Sequence, residues 1–322
     1  MASAVLKKSV TDLTRRKART VFTVLTLAIA VASVGIFAIP SLMDTAMQKE
    51  VQANRLPDLT LNLKPVGLTQ AQLEALGRLP NVVAADGRSY FQTRVWVGER
   101  RVKAAIIAAP SYRNQSVDVV SLVSGQAPSG LSVASDIQND KQGRFSGREG
   151  STIRIVGVAD RTVTVPVSGV ARNMIGDQAA IGLDAVVLYS TPALLARLGA
   201  ETGYSSLEFR LADTSKAAAD RTVAAARNYL KANTSFTGFS NLPELREAGS
   251  YPGKELFDQL ASIMNVFTVL ALLAGLVLIS NTMTTLIGEQ RREIGMMKAI
   301  GGTRRQIRRV YLRTATLLGA AG

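Results

Sequence analysis

The sequence predicts a membrane protein: α-helical transmembrane segments with an inserted α+β extracytoplasmic domain. Three observations predict it. Two long stretches carry no charge, the 24 residues from Thr20 to Met43 and the 30 from Gln259 to Gly288. Basic residues crowd beside both: residues 1–20 hold six Lys/Arg against one Asp, residues 288–322 hold eight against two Glu, and together they supply +11 of the formal +14. Between the two stretches the pattern changes to short strands and helices separated by turn residues, the alternation of an α+β domain.

A helix crossing a hydrocarbon core about 30 Å thick needs about 20 mainly apolar residues. Both stretches qualify, and neither keeps the polar face that a long core helix of a soluble protein retains. A cleaved leader is the alternative for the first, but Val21–Ile39 exceeds the usual apolar region of about 7–15 residues and no small-x-small site follows it. Basic flanks place the outer ends of both spans in the cytoplasm, which puts the residues between them outside. The same charge argues against nucleic acid as a partner, since it flanks apolar segments instead of covering an aromatic-bearing surface. The expected organisation is a cytoplasmic interfacial segment (1–19), a first span (20–43), an extracytoplasmic domain with helical stalk ends (44–258), a second span (259–288), a cytoplasmic elbow (289–309) and the start of a third span (310–322).

Along the chain, residues 4–16 read as a short amphipathic helix, with Leu6, Val10 and Leu13 on one side and Lys7, Lys8, Arg15 and Arg16 available to lipid phosphates; it either lies in the membrane interface or is simply solvated. In the first span Ala28, Ala32 and Gly35 make a small-residue stripe that lets a second helix approach. Pro40 removes one helical hydrogen bond, yet Ser41–Asn54 still reads as helix beyond it, closed by Pro57. Leu59–Leu63 alternates as a strand. Thr69 caps a helix running to Leu79. Ser89–Val97 and Val102–Ile107 form a hairpin about Gly98-Glu99. Residues 111–150, rich in Ser, Gly, Asn, Gln and Asp, read as loops. Thr152–Val158 and Thr162–Val170 form a second hairpin about Ala159-Asp160. Ala185–Tyr189 is a strand, and Thr191-Pro192 opens a helix to Leu198 with Pro in its first turn. A strand at Ser206–Leu211 and a helix at Ser215–Ala232 complete the domain. In the second span Ala271 and Gly275 offer a small-residue face, and Asn265, Asn281, Thr282 and Thr284 suit hydrogen bonds between helices.

Composition removes several chemistries. With no Cys and no His there is no thiolate nucleophile, no imidazole base, no zinc finger and no disulfide framework. Asp136, Asp140 and Glu149 fall in the polar stretch, where lone carboxylates are solvated and weak evidence for acid–base work. Asn114-Gln115-Ser116 and Asn233-Thr234-Ser235 match the glycosylation tripeptide, a pattern common by chance. There is no Gly-x-x-x-x-Gly-Lys-Ser/Thr, so no P-loop binds ATP on this chain. The reading is of a non-enzymatic chain with no catalytic, cofactor or metal residues.

The segment with a functional pattern follows the second span: Glu289, Gln290, Arg291, Arg292, Glu293, Ile294, Gly295, Met296, Met297, Lys298, Ala299, Ile300, Gly301, Gly302 and Thr303. Here the helix turns amphipathic, with Ile294 and Met297 on one face. Gly301-Gly302 supplies the left-handed residue that ends a helix, and Thr303 with Gln306 fits a capping box for the next. Such an elbow presents a compact knob to a partner; the plainer alternative is a tight turn between spans.

These residues resemble the FtsX/MacB-like family of ABC transporter permeases, whose pattern runs roughly E-R-x-x-E-I-G-x-x-[RK]-A-[IL]-G-[AG]. Glu289, Arg291 or Arg292, Glu293, Ile294, Gly295, Lys298, Ala299, Ile300, Gly301 and Gly302 occupy corresponding positions, with Asn281-Thr282-Met283 upstream and Lys17-Ala18-Arg19-Thr20 before the first span. Gln290 and Arg313-Thr314 depart from it. The resemblance implies that residues 289–302, Met297 among them, dock on a separate ATPase subunit, which binds the ATP that this chain does not. It further implies a bacterial inner-membrane location with a cytoplasmic N-terminus, a homodimer or heterodimer of permeases, and additional spans beyond residue 322. The function implied is efflux, lipoprotein release or control of a cell-wall enzyme, with a periplasmic adaptor or that enzyme as a further partner beside membrane lipids. The rival from another class is a membrane receptor with a sensor between two spans. Its cytoplasmic linker should continue in heptads, whereas here Gly-Gly interrupts and a new apolar run begins at Val310.

Overall fold

The computed structural model describes residues 39–174, 184–289, 291–299, 301, 303–305 and 308. Ala46–Lys254 forms one compact unit, and the described residues on either side of it belong to a second. In chain order the elements are helix α1 (39–53), β1 Leu59–Val66, α2 Gln70–Gly77, β2 Val82–Val97, β3 Arg100–Ala108, β4 Ser121–Gly125, β5 Val133–Asp136, α3 Ile137–Lys141, β6 Thr152–Val156, β7 Thr162–Arg172, β8 Val186–Ser190, α4 Pro192–Arg197, β9 Tyr204–Leu211, α5 Lys216–Asn233, β10 Glu244–Leu245, α6 Lys254–Glu289 and α7 Arg291–Ala299. The segment 4–16, the first span as far as residue 38, and the stripe of Ala28, Ala32 and Gly35 lie outside the described residues.

The Ala46–Lys254 unit is organised by one long strand. The first half of β2 pairs antiparallel with β9, which pairs with β1, which pairs with β10. Helices α2 and α5 cover one face of this sheet, burying Leu59, Leu61, Leu73, Leu76, Leu207, Phe209, Ala226 and Leu230. The second half of β2 leaves that sheet and enters a ring. β2 pairs β3, β3 pairs β8, β8 pairs β5, β5 pairs β7, β7 pairs β6, and β6 returns to β2. Six strands therefore close a small barrel, which leaves no free edge within the ring. Alternation along each strand sends Val95, Ile106, Val133, Ile153, Ile155, Val165, Val186 and Leu188 inward to a common core.

Local chemistry explains the elements that were read correctly. The Thr69 hydroxyl accepts from the Gln72 N–H at 3.2 Å and the Gln72 side chain accepts from the Thr69 N–H at 2.8 Å, a capping box for α2. Ser215 caps α5, and Pro192 opens α4. The turn between β6 and β7 places Ala159 and Asp160 at φ of 56° and 61°.

Three expectations are corrected. The stretch 111–150 is not all loop, because it contributes β4, β5 and α3. β5 is short but wholly buried between β7 and β8, and tertiary pairing overrides its polar composition. β2 begins seven residues earlier than the hairpin pattern implied, because Val82–Arg88 pairs with β9. Asp136 is not solvated: it is fully buried, accepts from the Gln138 N–H at 2.8 Å as the α3 cap, and accepts from the Tyr189 hydroxyl at 2.5 Å. Asp140 and Glu149 are exposed.

In the second unit α6 runs 36 residues without interruption. Its window Lys254–Val277 is long and apolar enough to cross a membrane, and only 6% of it is buried. It is the one such helix among the described residues.

Candidate functional site: an elbow and an outer-domain clamp

The elbow is helical up to its glycines. α6 ends at Glu289 and α7 spans Arg291–Ala299. Gly301 follows at φ 89°, a left-handed conformation that glycine adopts without penalty, and its N–H donates to the Lys298 carbonyl at 3.1 Å, closing the last turn. Arg291, Gly295, Lys298 and Ala299 are exposed, as are Met296, Thr303, Arg304, Arg305 and Arg308. A cationic, solvent-facing surface thus surrounds the bend. Ile300 and Gly302 lie outside the described residues, as does Gln306, the partner expected for Thr303; of Glu289, Arg292, Glu293, Ile294 and Met297 only the backbone is described. In α6, Ala271 and Gly275 are half-buried. Two hydroxyls in this helix bond to their own backbone, Thr268 to the Met264 carbonyl and Thr284 to the Ser280 carbonyl, both at 2.8 Å.

Within the Ala46–Lys254 unit, the end of α1 and the residues after it are joined to the loop 117–119 by a connection that no sequence pattern announced. Val51 and Leu56 are buried. The Asp118 N–H donates to the Arg55 carbonyl at 3.0 Å and the Val119 N–H to the Asn54 carbonyl at 2.8 Å. Arg55 and Asp118 both sit at φ 50°, an uncommon conformation for non-glycine residues that persists where surrounding contacts over-determine it. On the far side of this joint, Asp58 accepts from the Leu211 N–H at 3.0 Å and from Arg246 Nη2 at 2.5 Å, while its own N–H donates to the Phe209 carbonyl at 2.8 Å.

The loop that receives α1 is pinned to β2 by buried charge. Asp86 and Arg88 lie on the face of the β2–β9 sheet opposite the helices. The Asp86 carboxylate accepts from the Ser116 and Val117 N–H groups at 2.7 and 2.8 Å. Arg88 Nη2 donates to the carbonyls of Val117 and Asp118 at 3.0 and 2.9 Å. Glu208, which stands opposite Asp86 in the register, approaches Arg88 Nε at 3.9 Å and accepts from the Tyr90 hydroxyl at 3.2 Å. Asn173 donates to the Asp118 carboxylate at 2.8 Å. Gly87 between the two charges is required sterically, since a Cβ there would lie 2.5 Å from the Tyr204 ring.

Three carboxylates therefore lie within electrostatic reach of one guanidinium: Arg88, Asp118 and Glu208 are buried and Asp86 is half-buried. Burial, and then the neighbouring Asp118 charge, pushes Glu208 up to about 8. Asp118 is raised too, by burial against the pull of Arg88. Glu208 is the carboxylate whose rise reaches the neutral range, with burial as the largest cause and the Arg88 charge and the Tyr90 hydroxyl opposing it. The arrangement is a clamp that ties the loop 116–118 to β2. Sequence reading missed it because Asp86, Arg88, Asp118 and Glu208 have no common spacing; the one local signal was Asp-Gly-Arg at 86–88.

The pattern of the FtsX-like permease C-terminal family matches residues 265–322. This segment is FtsX-like. The match contains all twelve elbow residues named from the sequence, from Glu289 to Gly302, together with Ala271 and Gly275. Two solved structures resemble the chain at low identity. The periplasmic region of MacB from Actinobacillus actinomycetemcomitans is 14% identical with a TM-score of 0.40, over 58% of this chain and 89% of that one. The extracellular domain of the noncanonic ABC-type transporter YknZ from Gram-positive bacteria is 13% identical with a TM-score of 0.38, over 58% of this chain and 100% of that one. No curated protein matches the sequence.

Proposed function

We propose that this chain is the non-catalytic permease subunit of an ABC transporter, anchored in a bacterial inner membrane with residues 44–258 outside. The FtsX-like match over 265–322 carries the reading, because it falls on both parts that a permease needs, the apolar helix and the bend beyond it. α6 supports it physically: an uninterrupted 36-residue helix is about 54 Å long at 1.5 Å per residue, longer than a bilayer core, so a displacement at Glu289 is carried along one helix to Lys254. The clamp supports it as well. Asn54 and Arg55, directly after α1, are bonded to Val119 and Asp118, and that loop is bonded to β2, which suits transmission of a displacement into the domain. ATP is bound and hydrolysed by a separate subunit docked on the elbow, and the work is spent on export or release of an envelope or membrane substrate.

The test is capture of the ATPase. Replacing Glu293 and Gly295 together should abolish co-purification with an ATP-binding cassette ATPase subunit, while the variant still fractionates with membranes. Unchanged capture by the inserted variant would overturn the assignment of the elbow. Tags near residues 140 and 303, read by protease access in intact spheroplasts, check the orientation: cleavage at 140 alone is expected, and cleavage at 303 alone would invert it.

A further inference from the structure

On the outside of the barrel, two cations stand side by side with no ion-pair partner among the described residues. Arg94 on β2 and Lys103 on β3 are direct partners in the antiparallel register. Cross-strand partners share a face, with Cβ atoms about 4.5–5.5 Å apart, and like charges in that position destabilise a sheet. Both side chains are exposed, and among the described residues neither has a hydrogen bond or an ion pair. The neighbouring row of the same face shows how this barrel treats cations that serve structure. Arg101 is held by both oxygens of Asp160 at 2.8 and 3.1 Å, Arg154 donates to the Gly98 carbonyl at 2.9 Å, and the two guanidinium groups lie 4.7 and 4.8 Å from the Trp96 ring. Beyond Lys103, Arg144 is bound by Asp184 at 3.0 Å. Arg94 and Lys103 are left open in the midst of compensated neighbours.

They also line a cleft. A concavity of about 490 Å³ is bounded by Arg94, Lys103, Gln92, Thr93, Val156 and Ala185, within the range of small-molecule sites. Most of its lining belongs to β2 and β3 of the closed barrel, so the two charges are presented by a rigid support. Two adjacent cations suit an anion with several acceptor oxygens. A guanidinium fork with an ammonium beside it suits a tetrahedral phosphate, whose oxygens can engage both at once, better than a single carboxylate. We propose that the cleft between Arg94 and Lys103 binds a phosphate-bearing ligand, either a soluble phosphate ester or a phospholipid headgroup. The repulsion between the pair is tolerated because the ligand relieves it.

This inference does not depend on the ATPase reading, and its test uses the full chain purified in detergent. Trp96 is the only tryptophan and lies on the same face two residues from Arg94, so its emission reports on the site. Titration with inorganic pyrophosphate, followed by calorimetry and by Trp96 emission, forms one arm; mixed micelles of phosphatidylglycerol against phosphatidylcholine form the other. Saturable binding in the first arm assigns a soluble ester, and a response only to phosphatidylglycerol assigns a headgroup. In either case Arg94→Gln or Lys103→Gln should weaken binding about tenfold or more, the double variant should abolish it, and Arg221→Gln, which removes one charge on α5, should leave it intact. The double variant should melt at or above the parent's temperature, since it loses only a like-charge pair. No response in either arm, equal binding by the double variant, or a double variant less stable than the parent would each overturn the proposal.

Discussion

Leu270 on α6 and Leu188 in the barrel are the same side chain in different surroundings. Leu188 is 0% exposed and Leu270 is 56% exposed, and the contrast extends to their neighbours: Ile106 and Val186 are sealed, whereas Phe267 and Leu273 are open. In water an apolar surface as long as α6 would forgo about 25 cal/mol for each Å² left unburied, far beyond the patch a soluble monomer tolerates. The barrel treats water as its solvent and hides its apolar atoms from it. α6 displays such atoms continuously, as a helix does when its solvent is lipid. The difference separates two kinds of stability within one chain. Packing holds the Ala46–Lys254 unit together, and under the proposed function partitioning into lipid would hold α6 in place.

The contrast is broken most sharply where the outer domain departs from its own rule and buries charge. Arg88→Met removes the guanidinium that three carboxylates share, leaving buried charge uncompensated. The expected loss is about 3–5 kcal/mol, read by urea denaturation of the full chain in detergent with a probe on the outer domain. A loss below about 1 kcal/mol would show that the loop 112–119 is held without the clamp. Next comes a matched pair. Leu188→Ala should cost about 2–5 kcal/mol by leaving a cavity in the barrel. Leu270→Ala should cost under about 1 kcal/mol, because in the bilayer it alters a transfer preference and creates no cavity in the packing. Equal losses would mean that α6 is packed as a core helix, and the two-solvent reading would fail.

How much of this could be read from the sequence follows the range of the interactions. Thr69 finds Gln72 three residues away, Ser215 caps the helix it precedes, and Ala159-Asp160 turns a hairpin between adjacent strands. All are local, and a pattern exposes them. The elbow was legible for the same reason, as its glycines and charges are consecutive. The clamp was not, because Arg88 meets the carbonyls of Val117 and Asp118 across some 30 residues and Glu208 across 120. The start of β2 was hidden as well: Ala84-Ala85-Asp86-Gly87-Arg88 lacks apolar alternation and is strand only because β9 pairs with it. β5, four buried residues in a polar stretch, owes its conformation to β7 and β8. Barrel closure depends on pairings between distant strands, which no window along the chain contains.

The smallest expected effect concerns pH and tests which carboxylate of the clamp carries the proton. Glu208 is held near 8, well above an ordinary glutamate near 4.5, by burial and by Asp118. The folded domain therefore retains a proton that the unfolded chain releases. Below about pH 4.5 both states hold it and the group contributes no slope; between about 4.5 and 8 the unfolded state gains from ionising while the folded state does not, so stability falls as pH rises; above 8 both are ionised and the slope from this group ends. Asp118, raised in the same direction, reinforces the fall. Asp213 is lowered by the Ser215 N–H and acts only in more acid solution. Glu208→Gln keeps an acceptor for the Tyr90 hydroxyl without the ionisation, so denaturation midpoints measured from pH 5 to 8 should decline less steeply in the variant than in the parent. Parallel curves would move the proton to Asp118. In that case the loop that receives α1, and not the sheet beneath it, would be the part of the outer domain that responds to pH.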